Sequence, residues 1–163
     1  AHQRDTLGPT HPSTLTTQSS LANAYLAVDK LTEAIPLHED TLAHQRDTLG
    51  PTHPSTLTTQ TLLANAYLAV DKLTEAIPLY EDALAHQRDT LGPTHLSTLT
   101  TQCGLAIAYG RADKIDEAFV LLADALSSCD KVLGPKHFLT VMLHDVLGTG
   151  DTEFASSPES SEE

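Results

Sequence analysis

Imidazoles are the side chains of this sequence with the most chemistry to offer. Nine histidines are present, and His2, His11, His44, His53, His86 and His95 recur at alternating steps of nine and 33 residues. A neutral imidazole can bind metal, and a charged one can carry a proton near neutral pH. A metal centre needs three or four donors converging on one point, at spacings such as H-E-x-x-H, and no such spacing occurs. Regular recurrence points instead to structure, with His11, His53, His95 and His137 each ordering the entrance to a helix. The carboxylate pairs Glu39-Asp40 and Glu81-Asp82 fall on the wet outer face of a helical pattern, where solvation accounts for them. Cys103 and Cys129 would be nucleophiles only as thiolates. No basic residue flanks Cys103, so both read as reduced structural thiols, Cys103 facing a groove and Cys129 near the end of a helix. The phosphate-cradling G-x-G-x-x-G and P-loop, the G-x-S-x-G elbow and the C-x-x-C pair are all missing. The expectation is a protein that is not an enzyme, with no catalytic residue, no cofactor and no metal.

What positions these side chains is a repeat. Residues 1–42 read AHQRDTLGPTHPSTLTTQSSLANAYLAVDKLTEAIPLHEDTL, and residues 43–84 repeat them with four changes, so 38 of 42 positions are identical. Residues 85–126 match the second copy at 29 of 42 positions, and a fourth copy opens with KVLGPKHFLT before it decays. A fixed period of this length marks a stacked-repeat architecture. Each unit carries two helical patterns and no alternating strand pattern. Leu15, Ala22, Tyr25 and Leu26 share one face of the first helix, with Pro12, Pro54 and Leu96 at its start. The second helix is expected over 31–49, with Leu31, Ala34, Ile35, Leu42 and Leu49 as its apolar stripe. Gly8, Gly50, Gly92 and Gly134, each followed by proline, terminate it through a left-handed cap. Pro36 and Pro78 fall inside second helices and predict a local kink. The resulting segments are 1–8, the end of a preceding repeat's second helix; 9–49, 50–91 and 92–133, three repeats; 134–148, a partial repeat of one capping helix; and 149–163, a disordered acidic tail. The fold class is all-α, a right-handed α-solenoid of antiparallel helix pairs.

Composition narrows the partners. Against 9 Lys plus Arg stand 22 Asp plus Glu, and the net charge of −13 repels nucleic acid and anionic membrane surfaces alike. A neutral or basic partner is easier to accommodate. Aromatic residues make up 4% with no Trp, too few for base stacking or a large aromatic pocket. No apolar run approaches the roughly 20 residues of a membrane helix, and two cysteines cannot frame a disulfide scaffold. A cytoplasmic, reducing setting is the expectation.

The pattern L-A-x-A-Y, then D-K-[LI]-x-E-A, resembles the tetratricopeptide repeat. Its small and aromatic positions are matched by Leu21, Ala22, Tyr25, Ala34, His38 and Thr41, by Leu63, Ala64, Tyr67, Ala76, Tyr80 and Ala83, and by Leu105, Ala106, Tyr109, Ala118, Leu122 and Ala125. The usual period is 34, and the longer unit with its L-G-P-x-H-P-x-T-L-T-T linker is similar to kinesin light chain-type repeats. That resemblance implies protein or peptide binding on a concave wall of first helices. The lining it implies is Thr16, Ser19, Asn23, Leu26, then Thr58, Thr61, Asn65, Leu68, then Thr100, Cys103, Ile107. Asn23 and Asn65 would form a ladder that holds a peptide backbone through donor and acceptor together. The basic carboxylate clamp of chaperone-binding relatives has no counterpart here, and Arg4, Arg46 and Arg88 fall late in second helices, away from that wall. The resemblance also implies an alternative: the sensor array at the C-terminal end of a larger STAND-type nucleotide-hydrolysing signalling protein. The chain opens partway through a second helix, so the expectation is an uncapped N-terminal end that self-associates weakly.

Overall fold

The computed structural model describes residues 31–148, all of whose regular elements are helices. They are α1 (Leu31–Leu49), α2 (Pro54–Ala69), α3 (Leu73–Thr90), α4 (Leu96–Arg111), α5 (Ile115–Val132) and α6 (Phe138–Leu147). The expectations on residues 1–30, including Thr16, Ser19, Asn23, Leu26 and the open N-terminal end, and on the tail 149–163 lie outside the described residues.

The linker motif builds each junction from four parts. Gly50, Gly92 and Gly134 have φ of +93°, +92° and +80°, the left-handed turn that glycine adopts without steric cost. Leu91 N–H and Gly92 N–H both donate to the Gln87 carbonyl, at 2.9 and 3.2 Å, and so close the end of α3. His53 and His95 then cap the next helices, their Nδ1 atoms accepting from Ser55 and Ser97 N–H at 3.2 Å. Finally Thr56 and Thr98, fully buried, donate back to the Gly50 and Gly92 carbonyls at 2.9 and 2.8 Å. Proline at 54 is therefore helpful and not essential: Leu96 takes its place, 56% exposed, and α4 begins at the same register. Pro36 and Pro78 sit early in α1 and α3, exposed, and both helices run on past them.

Consecutive helices pack against each other along the chain, and α2 also touches α4. Among the described residues the second helices α1, α3 and α5 make no such contact with one another. α2 and α4 therefore approach each other more closely than the second helices beside them do, which places these two first helices on the inner wall of the stack. The core between them is built from Leu57, Ala64, Ala76, Tyr80, Leu99 and Ala108, all at most 1% exposed. Each such leucine contributes about 1.5 to 3 kcal/mol relative to exposure. Alanine recurs because helix axes approach closely only where side chains are short; Ala34 and Thr41 in α1 are both at 0%.

One seam between units carries a shape-matched pair. Tyr80 of α3 is fully buried and lies against Gly104 of α4, where an added Cβ would stand 2.7 Å from the ring. The equivalent positions one unit earlier hold His38 and Leu62. His38 is also at 0% exposure. Large against small in one seam becomes medium against large in the other.

Candidate functional site

The inner wall carries a cavity of about 230 Å³ between α2 and α4, closed below by Gln87 of α3. Thr61 and Thr101 lie deep in it, Leu62 and Leu96 also line it, and Thr58, Asn65, Ser97 and Thr100 complete its lining. Four of the residues expected on the wall, Thr58, Thr61, Asn65 and Thr100, are thus brought together. Leu68 is half-buried against the core of the second unit instead. Ile107 is 55% exposed, outside that cavity. Cys103 packs half-buried against Leu99, Ala125, Leu126, Cys129 and Leu143, so the thiol expected in the groove is drawn into the seam with α5 and α6.

The threonine hydroxyl protons of this wall are already committed. Thr58 and Thr100 donate to the Pro54 and Leu96 carbonyls of their own helices, at 2.9 and 2.8 Å, and Thr61 donates to Leu57 O at 3.0 Å. Asn65 differs from the expected free ladder rung, because its Oδ1 accepts the hydroxyl of buried Tyr80. That bond fixes the carboxamide and leaves its N–H groups as the outward-facing partners. Burial raises the Tyr80 pKa, so the hydroxyl remains a donor.

The outer surface holds contacts that the spacing of residues did not reveal. Gln60, buried, donates to Leu79 O at 3.0 Å and Asp82 at 2.7 Å, and accepts from Arg46 at 3.1 Å. Gln102 repeats the first two bonds with Leu121 O and Asp124, and Arg88 reaches Asp124 at 2.9 Å. The arginine of one unit therefore reaches across to the next, which explains basic residues late in second helices. Tyr67 donates to Glu39, and Tyr109 to Glu81 at 2.5 Å. Both phenols are pushed up to about 12, Tyr67 mainly by burial and Tyr109 mainly by its bond to Glu81. Of the carboxylate pairs expected to be merely solvated, Asp40 is half-buried and Glu39, Glu81 and Asp82 are exposed, yet all four hold a partner. A signal was present in the sequence: all three copies keep T-T-Q, and the aspartate 22 residues on is kept with it.

Burial pushes the Cys103 thiol up to about 11, with the Cys129 thiolate adding to it, and burial likewise raises Cys129. Both are free thiols. Among the described residues no group of three metal-binding side chains converges, and no helix is long and apolar enough to cross a membrane.

A stack of antiparallel helix pairs, with first helices inward, defines the class as an α-helical repeat solenoid. A family model described as the tetratricopeptide repeat matches residues 13–89 and 59–131, and the chain belongs to that family, with repeats of the kinesin light chain type. The crystal structure of a kinesin light chain candidate from Podosopora anserina, with nearly identical TPR-like repeats, superposes with a TM-score of 0.78 at 38% identity. The match covers 90% of this chain and 69% of that one. A glutamine-to-methionine variant of the same protein gives 0.80 with equal identity and coverage. BtubC (BKLC) from P. vanneervenii shares the fold at a TM-score of 0.71 and 16% identity, over 83% of this chain and 57% of that one. No curated protein matches the sequence. Tetratricopeptide arrays generally mediate protein–protein interaction, and the fold is typically a non-catalytic scaffold.

Proposed function

We propose that the chain is an interaction scaffold that takes an extended protein segment along the inner wall of α2 and α4. The observation that carries this reading is the cavity in that wall, which gathers Thr58, Thr61, Asn65 and Thr100 from two successive units. Asn65, oriented by Tyr80, presents amide donors to a peptide carbonyl, and the threonine oxygens offer lone pairs to peptide N–H groups. The net charge of −13 favours a neutral or basic segment, brought in faster at low salt. Two free thiols fit a reducing, cytoplasmic setting. The test is selection of peptides on the full chain, followed by affinity measurement on Thr100→Arg. Thr100 is exposed on the wall, so the long side chain blocks the groove without disturbing the core. Loss of binding supports the wall as the site; unchanged affinity refutes it.

A further inference from the structure

The floor of the wall cavity contains an acceptor with nothing to accept. Gln87 is 1% exposed and its Oε1 has no hydrogen-bond partner among the described residues. The other end of the amide faces Thr61: Nε2 lies 3.5 Å from Thr61 Oγ1, a long bond, and Thr61 can accept because its own proton goes to Leu57 O. Thr101 Oγ1 lies 3.0 Å from the same oxygen and must be the donor of that pair. The hydroxyl protons of Thr58, Thr61, Thr100 and Thr101 are thus directed to protein, the Asn65 N–H groups stand on the wall above, and Gln87 Oε1 is the acceptor left without a donor. A buried amide oxygen in that condition calls for an incoming donor. Gln45, at the same position one unit earlier, is 5% exposed with its Oε1 likewise unpartnered among the described residues. In the third unit the position is Cys129, packed into the core.

Resting on the wall as the binding surface, we propose that this cavity is a specificity pocket for a neutral side chain that donates a hydrogen bond, with Gln87 Oε1 as its acceptor. Serine, threonine and asparagine side chains have that chemistry. An ammonium group is disfavoured, because no carboxylate lines the cavity to compensate a buried charge. A carboxylate is disfavoured more strongly, since it would bring a negative acceptor against Gln87 Oε1. The volume of about 230 Å³ admits such a side chain.

Acetamide and acetone have the same heavy-atom skeleton, and only acetamide donates. Each is titrated into the isotope-labelled full chain while the Gln87 side-chain amide and the Thr101 backbone amide are followed by NMR. The expected result is saturable binding of acetamide roughly tenfold tighter than that of acetone, with the preference abolished in Gln87→Leu. Gln87→Met serves as the second variant, and both are to be compared at an unfolding midpoint no lower than that of the parent chain. Equal responses to the two probes overturn the proposal. So does an acetamide preference that survives in both variants, or a resident water that neither probe displaces. Peptides selected on the parent chain separate this from the wider reading. If Thr100→Arg abolishes their binding while acetamide shows no preference, the pocket fails and the wall stands. If the preference holds while Thr100→Arg changes nothing, the wall fails.

Discussion

Placing a methyl group at Gly104 tests the packing of the seam between the second and third units. In Gly104→Ala the new carbon would lie 2.7 Å from Tyr80 Cε1, 2.9 Å from Cζ and 3.0 Å from the hydroxyl oxygen. Carbon atoms in good contact stand about 3.5 to 4.0 Å apart, so the ring must withdraw by roughly 0.8 Å or the helices must separate. Neither is free, because Tyr80 is fully buried and its hydroxyl is held by Asn65. Overpacking of this kind costs about 1 to 3 kcal/mol. Against it, alanine is better than glycine in a helix interior by about 1 kcal/mol. The expected net loss is about 1 kcal/mol. The sharper quantity is the coupling: in a Tyr80→Leu background, which copies Leu122 of the third unit, the obstacle is gone and the same substitution should stabilise by about 1 kcal/mol. Urea unfolding of the four chains gives the cycle, and a coupling of about 2 kcal/mol is expected. If alanine at 104 stabilises equally whether residue 80 is tyrosine or leucine, the two residues do not meet.

Three further outcomes follow from the same contacts. Burial lowers the pKa of His38 below its ordinary 6.5, so on acidification the unfolded chain takes up a proton first. Stability then falls as pH drops below about 6.5, by at most about 1.4 kcal/mol per pH unit from this group, and His38→Leu should flatten the midpoint between pH 7 and pH 5; parallel curves for the two chains would contradict the burial of the ring. Thr98→Val removes the 2.8 Å bond to Gly92 O and should cost about 1 kcal/mol in thermal or urea unfolding, whereas an unchanged midpoint would strip the buried threonine of its role in the junction. Cys103, with its thiol raised to about 11, should alkylate far more slowly at pH 8 than a free thiol does; modification at the rate of a small thiol would show that it is not packed in the seam.

Helix positions were legible in the sequence because their causes are local. Glycine before proline ends one helix, histidine opens the next, and the apolar spacing between them fixes which face is buried. The expected second helix over 31–49 is α1, Leu31–Leu49. The wall was legible only through family resemblance, and its details depended on partners distant in the chain. By sequence Asn65 is a free rung, since nothing within four residues claims it; its partner Tyr80 sits on the following helix, 15 positions on. Cys103 was placed by analogy with Thr61 at the same repeat position. Thr61 meets Gln87 and Thr101, and Cys103 meets Cys129 and Leu143 at the equivalent positions one unit on, so the same place is polar in one unit and apolar in the next. The Gln60 and Gln102 bridges span 22 residues to their aspartates, beyond any motif scan along one helix. What local periodicity cannot express is which residue lies opposite across a seam.

The pairing of Tyr80 with Gly104, at positions that hold His38 and Leu62 one unit earlier, also constrains how such an array can grow. Tandem duplication of residues 50–91 would carry Tyr80 on its outgoing side and Leu62 on its incoming side. The junction between the two copies would then set a tyrosine ring where only a glycine leaves room. Units that differ at few positions are thus not interchangeable bricks: each carries an address for its successor, and a lengthened array needs a compensating change at the new junction before it can stack.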